Sequence, residues 1–190
     1  SWAAGRAELG QDKADAERCV ECHGHDGQGA GLAPGEGAHV AKLAGQRAPY
    51  IVKQVLDFRS GRRRHDQMTL VARAVEDEDL HDIAAWFASL PPMKGRSGPL
   101  STQGQRLFEQ GDASRGLPAC ATCHGAQGQG AGGTVDAPLL AGQSWVYLDQ
   151  QLRDWRAGVR RNSSDGVMPR LGRQLTDGDI QALSDYLATR

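Results

Sequence analysis

Every cysteine in this 190-residue chain lies in one of two copies of the same pentapeptide. The first is Cys19-Val20-Glu21-Cys22-His23, the second Cys120-Ala121-Thr122-Cys123-His124, and a glycine follows each. The spacing C-x-x-C-H sets two thiols and an imidazole on about one helical turn. From that turn the thiols can reach both vinyl groups of one porphyrin as thioethers, while the histidine reaches the iron from the proximal side. Two other uses of paired cysteines compete, a zinc site and redox disulfides. Zinc would need the pairs from opposite halves to meet, and neither alternative gives the repeated histidine a task. The motifs therefore predict two covalently attached haem c groups, bound through Cys19, Cys22, Cys120 and Cys123, with His23 and His124 as iron ligands.

The rest of the composition agrees with a chain that needs such a staple. Hydrophobic residues make up 39 %, and 25 residues are glycine, which is thin material for a core. Small domains in that position usually gain stability from an added group. A net charge of −1 gives no general attraction to nucleic acid or acidic membrane. No apolar run reaches the length of a membrane span. The start, Ser1-Trp2-Ala3-Ala4, has neither an initiator methionine nor a signal-peptide core, so it reads as that of a mature or trimmed chain. Covalent haem attachment implies a compartment outside the cytoplasm, a bacterial periplasm.

The two halves follow one programme. A helix-friendly stretch, Ala7 to Arg18 or Ser101 to Gln110, leads to the cysteine motif. A glycine-rich loop comes next: Gly24 to Gly31, with Pro34, Gly35 and Gly37 beyond it, or Gly125 to Gly133. Such loops argue against helix or strand and suit a backbone lying close to a flat ring. Leu43-Ala44-Gly45-Gln46 and Leu140-Ala141-Gly142-Gln143 then introduce a middle helix, from about Pro49 to Ser60 in the first half. Tyr50, Gln54, Asp57 and Gly61 recur as Tyr147, Gln151, Asp154 and Gly158 at one constant offset. Arg62 to Met68 reads as a polar loop. A last helix, about Asp77 to Ser89, carries Leu80, Ile83, Ala84 and Phe87 at helical spacing. Its counterpart opens with Thr176-Asp177-Gly178-Asp179, a capping box with Asp in place of Glu. A long repeat in two copies indicates duplicated domains. Boundaries fall at 1–90 and 100–190, with a Pro/Gly-rich linker over 91–99.

A sixth iron ligand should come from methionine. Of three methionines, Met68 and Met168 hold equivalent places between the middle and last helices, and neither lies in an apolar run that would make it a simple gap filler. His65 sits close enough to compete with Met68. Met93, in the linker, reads as surface or interdomain packing. His25, His39, His65 and His81 have no counterparts in the second half and are read as solvated or hydrogen-bonded side chains. The carbonyl of Pro138 is a candidate to accept the proton on the other nitrogen of His124, with Ala41 at the matching place in the first half. Tyr50, Tyr147, Gln46, Gln143, Arg59 and Arg156 recur in pairs and are candidate partners for the haem carboxylates. Up to Gly95 there are 12 basic and 14 acidic residues, and from Arg96 onward 10 and 9.

Taken together, the two C-x-x-C-H motifs, two Leu-Ala-Gly-Gln stretches, two distal methionines and the Pro/Gly linker resemble the dihaem cytochrome c4 family of bacteria. The resemblance implies an all-α fold of two tandem class I cytochrome c domains related by internal duplication. It also implies periplasmic electron transfer, soluble or peripheral to the inner membrane, between redox proteins and typically toward a membrane-bound terminal oxidase. A second possibility is the dihaem subunit of a dehydrogenase such as flavocytochrome c sulfide dehydrogenase. The third is a dihaem enzyme, either a thiosulfate dehydrogenase, marked by a cysteine ligand where every cysteine here is already committed, or a peroxidase, which needs an open iron. The longer first loop, Ala41 and the run Arg62-Arg63-Arg64-His65 depart from the family pattern.

The denatured protein should weigh the polypeptide plus two haems. Replacing Cys120 and Cys123 by alanine should reduce that to one. A single haem in the unaltered protein, or zinc by elemental analysis, would exclude the assignment.

Overall fold

A computed structural model describes residues 4–29, 39–130 and 136–190. The far parts of both glycine-rich loops and the first three residues lie outside these. Among the described residues the regular structure is helical, with one isolated β-bridge between Asp112 and Leu117. The chain divides into two compact units, Ser1–Met93 and Lys94–Arg190.

The first unit contains α1 (Ala7–Ala16), α2 (Cys19–His23), α3 (Ala48–Ser60), α4 (Asp66–Ala74) and α5 (Asp77–Ser89). Its core gathers Val20, Ile51, Val52, Leu80, Ile83 and Phe87, so α2 and α3 share one apolar centre with α5. Pro in the first turn and Gly61 in the left-handed conformation bound α3 as the sequence predicts. α1 crosses α5 with almost no spacer, because a Cβ on Gly10 would overlap the Asp82 carbonyl and Trp86. The same crossing buries Asp82, whose carboxylate accepts from the Arg6 backbone N–H and from Lys13, both at 2.6 Å. Those donors hold its pKa below the usual carboxylate range.

The second unit repeats this plan with α6 (Thr102–Gln110), α7 (Ala121–His124), α8 (Trp145–Ala157), α9 (Val167–Gly172) and α10 (Asp177–Ala188). Leu107, Phe108, Leu148, Ile180, Leu183 and Leu187 form its core. Gly104 lets α6 approach Ala182 and Tyr186 of α10, as Gly10 does for α1 and α5. The predicted capping box is present, with Thr176 and Asp179 each satisfying a backbone N–H at the start of α10.

Three features depart from the sequence reading. Met68 lies in the first turn of a helix, α4, rather than in a polar loop. Met93 is a core residue of the first unit, its N–H donating to the Ala44 carbonyl at 3.1 Å, while Arg96 donates to the Ala188 carbonyl of the second at 2.8 Å. The expected linker is therefore pinned on both sides. Lastly, the second unit has a longer approach to its cysteine motif. The offset between halves grows from 94 at Gly10/Gly104 to 101 at Cys19/Cys120, so seven residues are added. They form a tight loop closed by the Asp112–Leu117 bridge and by Arg115, which pairs with Asp112 and Asp179.

The close helix crossing gives a test. Gly10→Ala should destabilise the first unit by about 2 kcal/mol or more despite the better helix propensity of alanine, because backbone opposes the added carbon. Gly61→Ala meets nothing within 4 Å, and its left-handed φ of 79° should cost only about 1 kcal/mol. Thermal melts of the two variants should fall in that order.

Candidate functional site

Each cysteine motif is a short helix that ends on its histidine. α2 spans Cys19–His23 and α7 ends on His124, and Gly24 or Gly125 turns the chain away with φ of 84° or 87°. Further positive-φ glycines, Gly27 and Gly29 or Gly128 and Gly130, wrap the loop back, with Gly29 and Gly130 donating to the carbonyls of His23 and His124. The Gly27 carbonyl accepts from Leu43 N at 2.8 Å, and Gly128 accepts from Leu140 N at the same distance. The next glycines, Gly45 and Gly142, donate to Phe87 and Leu187 at 2.9 Å in both units. The repeated Leu-Ala-Gly-Gln stretch thus ties the loop to the last helix.

That tie delivers a carbonyl to each histidine. His23 Nδ1 lies 2.7 Å from Ala41 O, and His124 Nδ1 lies 3.1 Å from Pro138 O. A carbonyl only accepts, so Nδ1 carries the proton and the Nε2 lone pair is available to a metal. Burial pushes both imidazole pKa values down, partly opposed by these hydrogen bonds, so both rings are neutral near pH 7.

No disulfide joins the four cysteines. Burial raises the Cys19 and Cys120 thiols to about 11, opposite to the lowered pKa of reactive redox cysteines. Among the described residues no group of three or more His, Cys, Asp or Glu is placed to hold a metal ion.

The two methionines are half-buried at the starts of α4 and α9. Their backbone N–H groups are capped in parallel ways. Met68 N donates to His65 Nδ1 at 3.3 Å, and Met168 N donates to Ser163 Oγ at 3.4 Å. His65 therefore does the work of a capping side chain, and its Nδ1 is engaged with backbone.

Of the six candidates for haem carboxylates, two are committed elsewhere. Arg59 donates to the carbonyls of Ala72 and Val75 and pairs with Asp77. Arg156 donates to the Leu175 carbonyl and pairs with Asp177. These arginines clamp the end of the methionine helix onto the start of the last helix. Gln46 and Gln143 are buried and accept from the N–H of the residues that follow them, Arg47 and Ser144. Tyr50 and Tyr147 are half-buried.

A second arginine pair was legible but unread. Arg63 and Arg160 share the offset of the Tyr50/Tyr147 pair, and both are buried, each 8 % exposed. Arg63 lies 4.7 Å over the Phe58 ring, and Arg160 lies 4.4 Å over Trp155.

A cavity beside the cysteine motif and a buried indole bear on the fit of a porphyrin. A cavity of about 570 Å³ opens between Leu117-Pro118, just before Cys120, and Arg170, Leu171 and Gln174, just after Met168. Its lining includes none of Cys120, Cys123, His124 and Met168. In addition, the indole N–H of Trp145 is buried with no acceptor from the protein, an arrangement a carboxylate would relieve. The residues present fit the group.

The cytochrome c family model matches residues 7–91 and again 101–190. Cytochrome c4 of Pseudomonas aeruginosa is 41 % identical, covering 97 % of this chain and 89 % of the relative. A protein of Stutzerimonas stutzeri named as a thiosulfate dehydrogenase electron acceptor is 38 % identical over 90 % of this chain and 77 % of its own length. The crystal structure of reduced recombinant cytochrome c4 from Pseudomonas stutzeri superimposes with a TM-score of 0.87 at 37 % identity, covering 97 % of this chain and 98 % of that one.

Because His65 and Ser163 act as caps, His65→Ala and Ser163→Ala should each cost about 1 kcal/mol. His65→Ser should restore most of the loss. Chemical denaturation followed separately at each haem would read this, and a His65→Ser variant no better than His65→Ala would refute the capping role.

Proposed function

The chain belongs to the cytochrome c family as a tandem dihaem member of the cytochrome c4 kind, and from that premise we propose that it is a periplasmic carrier of single electrons toward a terminal oxidase. It holds two haem c groups and transfers electrons between redox partners. Cys19 and Cys22 anchor one group, Cys120 and Cys123 the other. His23 and His124 would supply an imidazole nitrogen to its iron, and Met68 and Met168 a thioether sulfur. When bound, haem c supplies a one-electron iron couple. The chain would supply its surroundings: a neutral imidazole fixed by a carbonyl and a soft sulfur ligand that favours the reduced state.

The observation that supports this most directly is the repeated bond from buried His Nδ1 to a loop carbonyl, at Ala41 and Pro138. Orientation of a ligand by such a bond is a device for tuning a redox centre. Location follows from covalent attachment, and no helix among the described residues is long and apolar enough to cross a membrane. A carrier needs both axial positions filled, so the protein should not turn over peroxide or thiosulfate.

A second reading is favoured by one relative. The 38 % identity to a thiosulfate dehydrogenase electron acceptor supports service to a dehydrogenase as the source of electrons. The two differ in donor. Reduction of this protein by thiosulfate plus thiosulfate dehydrogenase, at rates exceeding reduction by a quinol-oxidising complex, would select the dehydrogenase role.

Met68→Ala and Met168→Ala should each abolish the near-infrared sulfur-to-iron band of one oxidised haem, lower its potential and open it to carbon monoxide when reduced. The unaltered protein should bind carbon monoxide slowly or not at all. Rapid binding to one haem of the unaltered protein, together with substrate turnover, would replace the carrier reading by an enzymatic one.

A further inference from the structure

Resting on the assignment of Met68 and Met168 as axial ligands, we propose that the buried arginines Arg63 and Arg160 are positioning residues that lock the methionine segment in its iron-binding place. Neither belongs to the apolar core. Each sits at the point where the chain leaves α3 or α8 and starts toward the methionine. The backbone is turned in the same way in both units, with Arg63 N donating to Asp57 O at 3.0 Å and Arg160 N donating to Asp154 O at 3.1 Å. The side chain then folds back over the helix just left. Arg63 Nη1 donates to Gln54 Oε1 at 2.9 Å, and Arg160 Nη1 donates to Gln151 Oε1 at 2.8 Å.

From each guanidinium a short relay runs to the methionine. In the first unit Arg63 covers one part of Phe58, whose ring meets His65 edge-on at 6.4 Å, and His65 caps the Met68 N–H. In the second, Arg160 Nε donates to buried Asn162 Oδ1 at 3.0 Å, and the next residue, Ser163, caps the Met168 N–H. The intermediates differ, and the two ends are the same. A planar guanidinium can stack on a ring and donate in its own plane at once, which an ammonium cannot. Arg59 and Arg156 hold the far end of the methionine segment, so Arg63 and Arg160 close the near end.

An added ligand such as imidazole binds only molecules whose methionine has left, so its apparent affinity measures the fraction released. The test uses the oxidised, full-length dihaem protein and titrates imidazole while following the sulfur-to-iron band, with each haem identified from the Met68→Ala and Met168→Ala spectra. Arg63→Met should raise imidazole affinity at the first haem roughly tenfold, the loss expected for a desolvated stack and its hydrogen bond, and leave the second haem unchanged. Arg160→Met should do the reverse. Arg63→Lys should not restore the original affinity. Ile83→Val, a core change in the same unit, should lower the melting temperature without moving imidazole affinity. If Arg63→Met fails to assemble, Gln54→Leu should give a smaller rise in the same direction. A loss of stability with imidazole affinity unchanged would overturn the proposal, as would a fall in potential alone, which would mean that only the charge matters. If the unaltered protein lacks the sulfur-to-iron band, the methionine assignment fails and the proposal falls with it.

Discussion

A buried, neutral imidazole tied by Nδ1 to a backbone carbonyl is the interaction around which each unit is arranged. Left in water the ring would titrate near pH 6.5 and present either nitrogen. Here desolvation keeps it neutral and the carbonyl of Ala41 or Pro138 chooses the tautomer. That carbonyl is in place only because Leu43 and Leu140 return to the glycine loop and Gly45 and Gly142 grip the end of α5 or α10. The Leu-Ala-Gly-Gln repeat, the positive-φ glycines and the last helix are therefore parts of one device for aiming a lone pair.

The opposite wall is built on different physics. The cysteine side is covalently anchored and rests on the α1/α5 or α6/α10 crossing, where Gly10 and Gly104 let backbones touch. The methionine side has few apolar contacts. Ala72 is the one buried residue of α4, and Gly172 that of α9. Arg59 and Arg156 of α3 and α8, Arg63 and Arg160 of the turns that follow them, and a capping side chain hold it as well. A single hydrogen bond of this kind contributes about 1 kcal/mol net. Several in series, with their donors out of water, add to the few apolar contacts made by Leu171 and Val75 in giving the segment one arrangement.

This contrast also explains what the sequence disclosed. The cysteine motifs, both histidines, the carbonyl partners and the capping box at Thr176 are local or depend on strict spacing, so they could be read directly. The helix around Met68 was hidden because its cap is a histidine and its first turn, Asp66-Gln67-Met68, has no apolar rhythm. Arg63 was hidden inside Arg62-Arg63-Arg64, where composition suggests a solvated run, although its offset to Arg160 matched that of Tyr50 to Tyr147. The spacing of Arg59 and Arg156 shows that they are equivalent and not that they touch the last helix, since a repeat reveals correspondence and not contact. The loop 111–118 is a change of length rather than of pattern, and the repeat aligns on either side of it.

That loop makes the units unequal in a definite way. In the second unit, Leu117 and Pro118 face Arg170 and Leu171 across the cavity, and Arg115 pins the loop to α10 through Asp179. Burial alone would raise the Asp179 pKa, but Arg115 and Thr176 hold it below the usual range, so the pin persists well into mild acid. The first unit has no such loop, and the residues matching Arg170 and Leu171 are Leu70 and Val71, which are 68 % and 36 % exposed. Duplication therefore preserved the hydrogen bond that orients each histidine and the arginine contacts around each methionine. It left free the rim, where a partner would first make contact, so two copies of one redox site present different faces to solvent.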